Sequence, residues 1–179
     1  NDFAHCTPHL TALTHVHVRC AFYDMLWTKR VLFLPHLPAS LTSLTGDFSR
    51  VEPAPNSYGA LSKFSWPGSL TSLDVNLGVA SENGNGANEK TDELLHSLPS
   101  SLQWLHLNFQ LEGPDDLTAL DYSLRHLPNL TSFKLSSNES YLQDVSVLAL
   151  LPHSLTHLTL EIHAIIPAAD ILRNLPPRL

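Results

Sequence analysis

Residues 151–160 read LPHSLTHLTL, and residues 98–107 read LPSSLQWLHL. A phrase that returns at a near-constant distance marks a repeat architecture, so every copy has to be aligned before any other inference is drawn. The remaining copies are HLTALTHVHV (9–18), LPASLTSLTG (37–46), WPGSLTSLDV (66–75) and HLPNLTSFKL (126–135), and a seventh, LPPRL, begins at 175. The leading leucines are Leu13, Leu41, Leu70, Leu102, Leu130, Leu155 and Leu179, spaced 28, 29, 32, 28, 25 and 24 residues apart. Within each copy the pattern is L-T-x-L-x-L, as in Leu155, Leu158 and Leu160 or Leu130, Phe133 and Leu135. Apolar residues two apart share one face of a strand. Each copy therefore predicts one short strand with its apolar side turned inward. One such strand cannot bury that side alone, whereas stacked copies form a continuous parallel sheet over a continuous core.

The intervening segments must carry the chain back. In PDDLTALDYSLRHLP (114–128), Leu117, Leu120, Leu124 and Leu127 recur every three or four residues, and Pro114 and two acids stand where a helix would start. This spacing predicts a helix behind the sheet. TDELLHSLP (91–99), DVSVLALLP (144–152) and PAADILRNLP (167–176) predict shorter helices, each stopped by a proline. The prolines and glycine of VEPAPNSYGALSKFSWP (51–67) predict an irregular return.

On these residues the chain resembles the leucine-rich repeats, and its L-P-x-S-L-T openings are similar to the FNIP-type repeats of amoebae and other lower eukaryotes. The resemblance spans nearly the whole chain, although the Phe-Asn phrase that names the FNIP subtype is absent. It implies an α/β fold: a curved solenoid with the parallel sheet on its concave side and short helices and irregular turns on its convex side. Residues 1–179 are read as a single repeat domain of about six repeats and the start of a seventh, a fragment of a longer solenoid. Leucine-rich repeats usually place Asn three residues after the last strand leucine; the positions here are Ala21, Ser49, Gly78, Gln110, Asn138 and His163, and only Asn138 fits. Buried backbone groups still need partners. Ser49, Gln110, His163, water, or the threonines that recur after the leading leucine (Thr14, Thr42, Thr71, Thr131, Thr156) are the candidates.

Composition bounds the function. The chain is 43% hydrophobic over 179 residues, enough for a sizeable core, and 13 prolines against 7 glycines suit a Pro-punctuated repeat. No run approaches the about 18 apolar residues that a membrane span needs, and no signal peptide is visible. A net charge of −7 with only 10 basic residues disfavours nucleic acid, whose binding depends on Lys and Arg neutralising phosphates. Cys6 and Cys20 form no disulfide framework; a single bridge closing a cap and two free thiols in a reducing compartment are the alternatives, and the second is the plainer. A cytoplasmic location is favoured over secretion. The sequons at Asn129 and Asn138 are of a kind chance supplies in a chain rich in Asn, Ser and Thr, and a glycan at Asn138 would break the turn expected there.

With the inward face committed to packing, function belongs to the outward face. Alternation places there His15, His17 and Arg19; Ser43, Thr45 and Asp47; Ser72, Asp74 and Asn76; Trp104, His106 and Asn108; Ser132, Lys134 and Ser136; His157, Thr159 and Glu161. Six strands about 4.8 Å apart make a patch about 25 Å wide, the size of a protein footprint. Trp104 stands where most copies carry a small or polar residue, and exposed tryptophans dominate interface energies; the competing role is packing against the polar insertion SENGNGANEK (81–90). Phe48, Leu77, Phe109 and Ile162 form a second apolar line, read as a spine packing the turns. His15 and His17 share one strand face, as two zinc ligands would, with Asp47 or Cys20 as a third. No Cys or His cluster matches them, so metal is disfavoured and no cofactor is assigned. No Gly-rich elbow brackets a serine and no phosphate-binding glycine loop occurs, which argues against an enzyme.

The expected function is a non-enzymatic scaffold that recognises a protein through the concave sheet, using Asp47, Asp74, Asn76, Trp104, His106, Asn108, Lys134 and His157. The alternative is a structural or regulatory segment of a larger multidomain protein with its activity elsewhere. The resemblance suggests a ubiquitin-ligase substrate receptor or a kinase as such settings.

Overall fold

The computed structural model describes residues 11–19, 36–47, 65–77, 95–109, 120, 123–137, 146–162, 167–176 and 179. Each repeated phrase forms one strand: β1 (His15–Arg19), β2 (Ser43–Asp47), β3 (Ser72–Leu77), β4 (Trp104–Phe109), β5 (Ser132–Ser137) and β6 (His157–Ile162). They lie in a single six-stranded sheet in chain order, every neighbouring pair parallel. Register follows the sequence alignment without a slip: Val16, Leu44, Leu73, Leu105, Phe133 and Leu158 make one inward row. Val18, Gly46, Val75, Leu107, Leu135 and Leu160 make the next. A one-residue slip would turn every leucine to water, so the burial of this face is what specifies the register.

The leading leucines set a third row ahead of the strands, and Leu41, Leu70, Leu102, Leu130 and Leu155 are buried together with the two inward rows. Full burial of each such side chain is worth about 1.5–3 kcal/mol. At the ends of the sheet Val16, Val18, Leu158 and Leu160 are only partly buried, because a terminal strand has a neighbour on one side only.

The L-P-x-S-L opening is a turn. The Leu41 N–H donates to the Pro38 carbonyl (3.0 Å), and Leu70 to Pro67, Leu102 to Pro99, Leu155 to Pro152 and Leu179 to Pro176 repeat the bond at 3.0–3.1 Å. In the copy at 126–135 one residue fewer separates Pro from Leu. There the acceptor is Leu127 (3.1 Å), and Pro128 moves to the second turn position, which its fixed φ suits.

The threonines act as the structural candidates that the sequence suggests. The hydroxyls of Thr42, Thr71, Thr131 and Thr156 donate to the carbonyls of Thr14, Thr42, Gln103 and Thr131 on the preceding repeat, at 3.0–3.2 Å. A second ladder runs beside them, which the sequence reading overlooks. Ser40, Ser69, Ser101 and Ser154 donate to the carbonyls of Leu13, Leu41, Leu70 and Leu130, and Asn129 takes the serine's place by donating to the Ser100 carbonyl (2.9 Å). Its sign in the sequence is the serine directly before the leading leucine in four copies. The Asn129 amide is thus engaged in the fold.

The return segments are short. Leu120, Leu124 and Leu127 are buried as the 3–4 spacing requires, with helical backbone at 120 and 123–125. Helix α1 (Ala168–Arg173) fills the predicted place in PAADILRNLP, following Pro167, with Ile171 packed on the core and Leu172 exposed. The segment DVSVLALLP departs from expectation: Ser146–Leu150 is a 3₁₀ helix. This repeat has only 25 residues between its leading leucines. A 3₁₀ turn rises about 2.0 Å per residue against 1.5 Å in an α-helix, but repeat length alone does not set the choice, since the 24-residue repeat from Leu155 to Leu179 carries the α-helix Ala168–Arg173. Trp66 replaces leucine in its copy, is buried, and donates its indole N–H to Ser97 Oγ (3.0 Å).

Among the described residues no helix is long and apolar enough to cross a membrane. The 51–64 return, the 81–90 insertion, Cys6, Cys20, Phe48, and the turn positions Ala21, Ser49, Gly78, Gln110, Asn138 and His163 lie outside the described residues. Of the spine residues Leu77, Phe109 and Ile162, the backbone register alone is described: Leu77 pairs with Phe109, and Ile162 with Ser137.

Candidate functional site

A parallel sheet is ordinarily covered on both faces. Here the second face carries three polar rows. The first is His15, Ser43, Ser72, Trp104, Ser132 and His157; the second is His17, Thr45, Asp74, His106, Lys134 and Thr159; the third is Arg19, Asp47, Asn76, Asn108, Ser136 and Glu161. The eight residues singled out from the sequence all fall in these rows. The structure draws some of them together and leaves others apart.

Asp74, His106 and Lys134 are successive members of the second row, and the first two pair directly, His106 Nδ1 lying 2.8 Å from Asp74 Oδ1. Two further residues enter from the third row. His106 Nε2 is 3.1 Å from Ser136 Oγ, and the Ser136 hydroxyl donates to Glu161 Oε2 at 2.8 Å. Lys134 Nζ then closes on Glu161 Oε1 at 2.8 Å. The result is a chain of contacts, Asp74–His106–Ser136–Glu161–Lys134, across four strands. Ser136 is only 7% exposed, while Glu161 stands at the surface. The hydrogen bond from Lys134 first, then that from Ser136, holds the Glu161 carboxyl below its ordinary range. Ser136 and Glu161 are the members that the sequence reading places on the face without assigning a role. Their register with Asn108 is what exposes the link.

Trp104 sits half-buried one position before this cluster, edge-on to His106, with ring centroids 6.1 Å apart and planes at 70°. Its indole N–H has no hydrogen-bond partner among the described residues. The side chains of Asn76 and Asn108, neighbours in the third row, are likewise half-buried and unpartnered there. The centre of the face thus combines a tied ionic network with neutral groups still able to bond: one indole N–H and two carboxamides. His157 lies apart at the sheet edge. The Thr156 hydroxyl gives its hydrogen to the Thr131 carbonyl, so the contact of 2.9 Å between Thr156 Oγ1 and His157 Nδ1 is donated by the ring. His15 makes a matching contact with Thr14 Oγ1 (2.8 Å) at the opposite edge. Asp47 pairs in register with Asn76 through its strand, and its side chain lies outside the described set.

The order Asp74, His106, Ser136 resembles a hydrolase relay, with base and orienting acid at suitable distances. Its surroundings differ. The serine hydrogen is directed to a carboxylate instead of to the histidine that would act as its base. Among the described residues no group of three or more His, Cys, Asp or Glu side chains is placed to share a metal ion.

No protein-family model matches the chain, and no curated protein does. Among solved structures it is similar to the leucine-rich repeat-containing protein LegL7 from Legionella pneumophila, with a TM-score of 0.59 and 18% identity. The match covers 100% of this chain and 59% of that one, so the chain spans little more than half of its neighbour's length. Together with the six-stranded parallel sheet, this likeness establishes the fold as an α/β leucine-rich-repeat solenoid, with the sheet on its concave side.

Proposed function

We propose that this chain, read as one repeat domain over residues 1–179, is a non-enzymatic scaffold that binds a protein partner through the concave sheet. Trp104, His106, Asn108, Asp74 and Asn76 form the centre, with Asp47, Lys134 and His157 around them. The observation that carries the reading is the half-buried Trp104 on the same face as Asn76 and Asn108, with its indole N–H and their carboxamides unpartnered among the described residues. Binding energy concentrates in such aromatic anchors. The five spacings between strands extend the face over about 24 Å, a protein-sized footprint. The carboxylate that holds the Ser136 hydrogen favours binding over catalysis. The L-P-x-S-L-T openings support a place near the FNIP-type repeats, and the two-cysteine content supports a reducing compartment such as the cytoplasm.

The test is affinity capture from the source lysate with the wild type and with Trp104→Ala/His106→Ala, both checked by circular dichroism. The expected result is a folded variant that loses its partner, with the tryptophan alone worth about thirtyfold, about 2 kcal/mol. Identical captured proteins would place function elsewhere, in the second setting of a repeat segment that spaces other domains.

A further inference from the structure

The ionic network on the open face makes more contacts than a neutral histidine can fill with hydrogens. Asp74 and Glu161, as carboxylates, only accept. Lys134 supplies the hydrogen to Glu161 Oε1, and Ser136 gives its single hydroxyl hydrogen to Glu161 Oε2. The two remaining contacts, from His106 Nδ1 to Asp74 Oδ1 (2.8 Å) and from His106 Nε2 to Ser136 Oγ (3.1 Å), are both hydrogen bonds only when the ring supplies a hydrogen to each. Only the imidazolium carries a hydrogen on each nitrogen.

Removing that proton forces a choice. With the hydrogen on Nε2, the Nδ1 lone pair would face the Asp74 carboxylate at 2.8 Å with nothing between them. With it on Nδ1 the Asp74 bond is kept, and His106 Nε2 and Glu161 Oε2 compete for the one Ser136 hydrogen. The second arrangement loses one hydrogen bond without setting two acceptors against each other, and is the better of the two.

We propose that His106 and Ser136 form a proton-coupled toggle that regulates the binding face. With the ring protonated, the Ser136 hydroxyl points to Glu161; with the ring neutral, it turns to His106 Nε2 and releases Glu161 Oε2, while Lys134 keeps Oε1. This rests on the reading of the concave sheet as the binding surface. Among the described residues, the charged groups around the ring are Asp74 from β3, Lys134 opposite it on β5, and Glu161 from β6 beyond Ser136. Two carboxylates, one lysine and an imidazolium sum to zero, so the protonated face is neutral and tied down. The deprotonated face carries one net negative charge and a Glu161 Oε2 without the Ser136 hydrogen, while Lys134 still holds Oε1. Trp104 lies next to the ring that changes charge, edge-on with centroids 6.1 Å apart. A partner seated over Trp104 and Asn108 binds the protonated, ordered face more tightly by about three- to tenfold, the worth of one hydrogen bond.

The test uses the full chain alone. The His106 ring nitrogens and the Glu161 carboxyl carbon are followed by NMR through a pH titration, in the wild type and in Ser136→Ala. In the wild type the Glu161 signal is expected to move in the same step as loss of the His106 proton, and in Ser136→Ala that step is expected to shrink at least twofold. A Glu161 signal that ignores His106 in the wild type, or follows it equally without the hydroxyl, would overturn the toggle, the latter because direct charge would then explain the coupling. Where the alanine variant does not fold, Ser136→Cys carries the same comparison with a near-isosteric, weak donor. No partner enters the measurement, so an absent toggle leaves the binding reading intact, and an unaffected Trp104 variant in the capture experiment leaves the toggle intact.

Discussion

Glu161 is exposed, yet Lys134 and Ser136 each bond one of its oxygens, and these bonds lower its proton affinity relative to a free glutamate. A carboxyl depressed in the folded state contributes stability that is fully present above the unfolded value, and loses it as pH falls through the lower, folded value. Glu161→Gln should therefore be the less stable protein near neutral pH, and the gap to the wild type should close on acidification below the ordinary glutamate range. Urea midpoints at pH 7 and pH 3 measure it, and a gap that does not change with pH would contradict the ion pair. Residue types on this face were legible in the sequence, because strand alternation fixes which side each residue faces. Which of them touch was not: Ser136 and Glu161 gain their meaning from a register of zero slip between strands 25 residues apart in sequence. Nothing within either strand shows that contact.

At the scale of the element, the repeated phrase encodes a turn, a strand and two hydroxyl ladders in ten residues. Leucine and threonine announced their roles by period alone. The serine ladder was missed because serine suits any turn, and only the stacked geometry shows it donating to the leucine carbonyl of the previous repeat. The 3₁₀ helix at Ser146–Leu150 is not separable from a short α-helix in the sequence, because both show an apolar spacing of three to four, and repeat length does not decide between them: the shorter last repeat carries the α-helix Ala168–Arg173. Repeat four breaks the threonine ladder with Gln103, so the Thr71 carbonyl receives the Gln103 and Trp104 N–H groups and no hydroxyl. Gln103→Thr should restore the third donor and stabilise by about 0.5–1 kcal/mol, whereas Ser101→Ala, which removes a part-buried bond to the Leu70 carbonyl, should cost about 1 kcal/mol. Chemical denaturation of both variants checks the opposite signs. A Gln103→Thr protein less stable than the wild type would show that the ladder is not a source of stability.

At the scale of the molecule, six repeated units stack so that each strand pairs with its neighbours in chain order, and one face of the sheet is consumed by the core. The polar face that remains carries the linked cluster around His106, and the proposed function depends on its being used. The most direct measurement places a photo-crosslinking amino acid at Asn108 on the sheet face, or at Leu172 on helix α1 of the return side, and irradiates the full chain in its native lysate. The expected outcome is a crosslinked protein partner from position 108, none from position 172, and competition of the former by unlabelled wild type but not by Trp104→Ala. Crosslinking from position 172 alone would contradict the concave sheet as the binding surface.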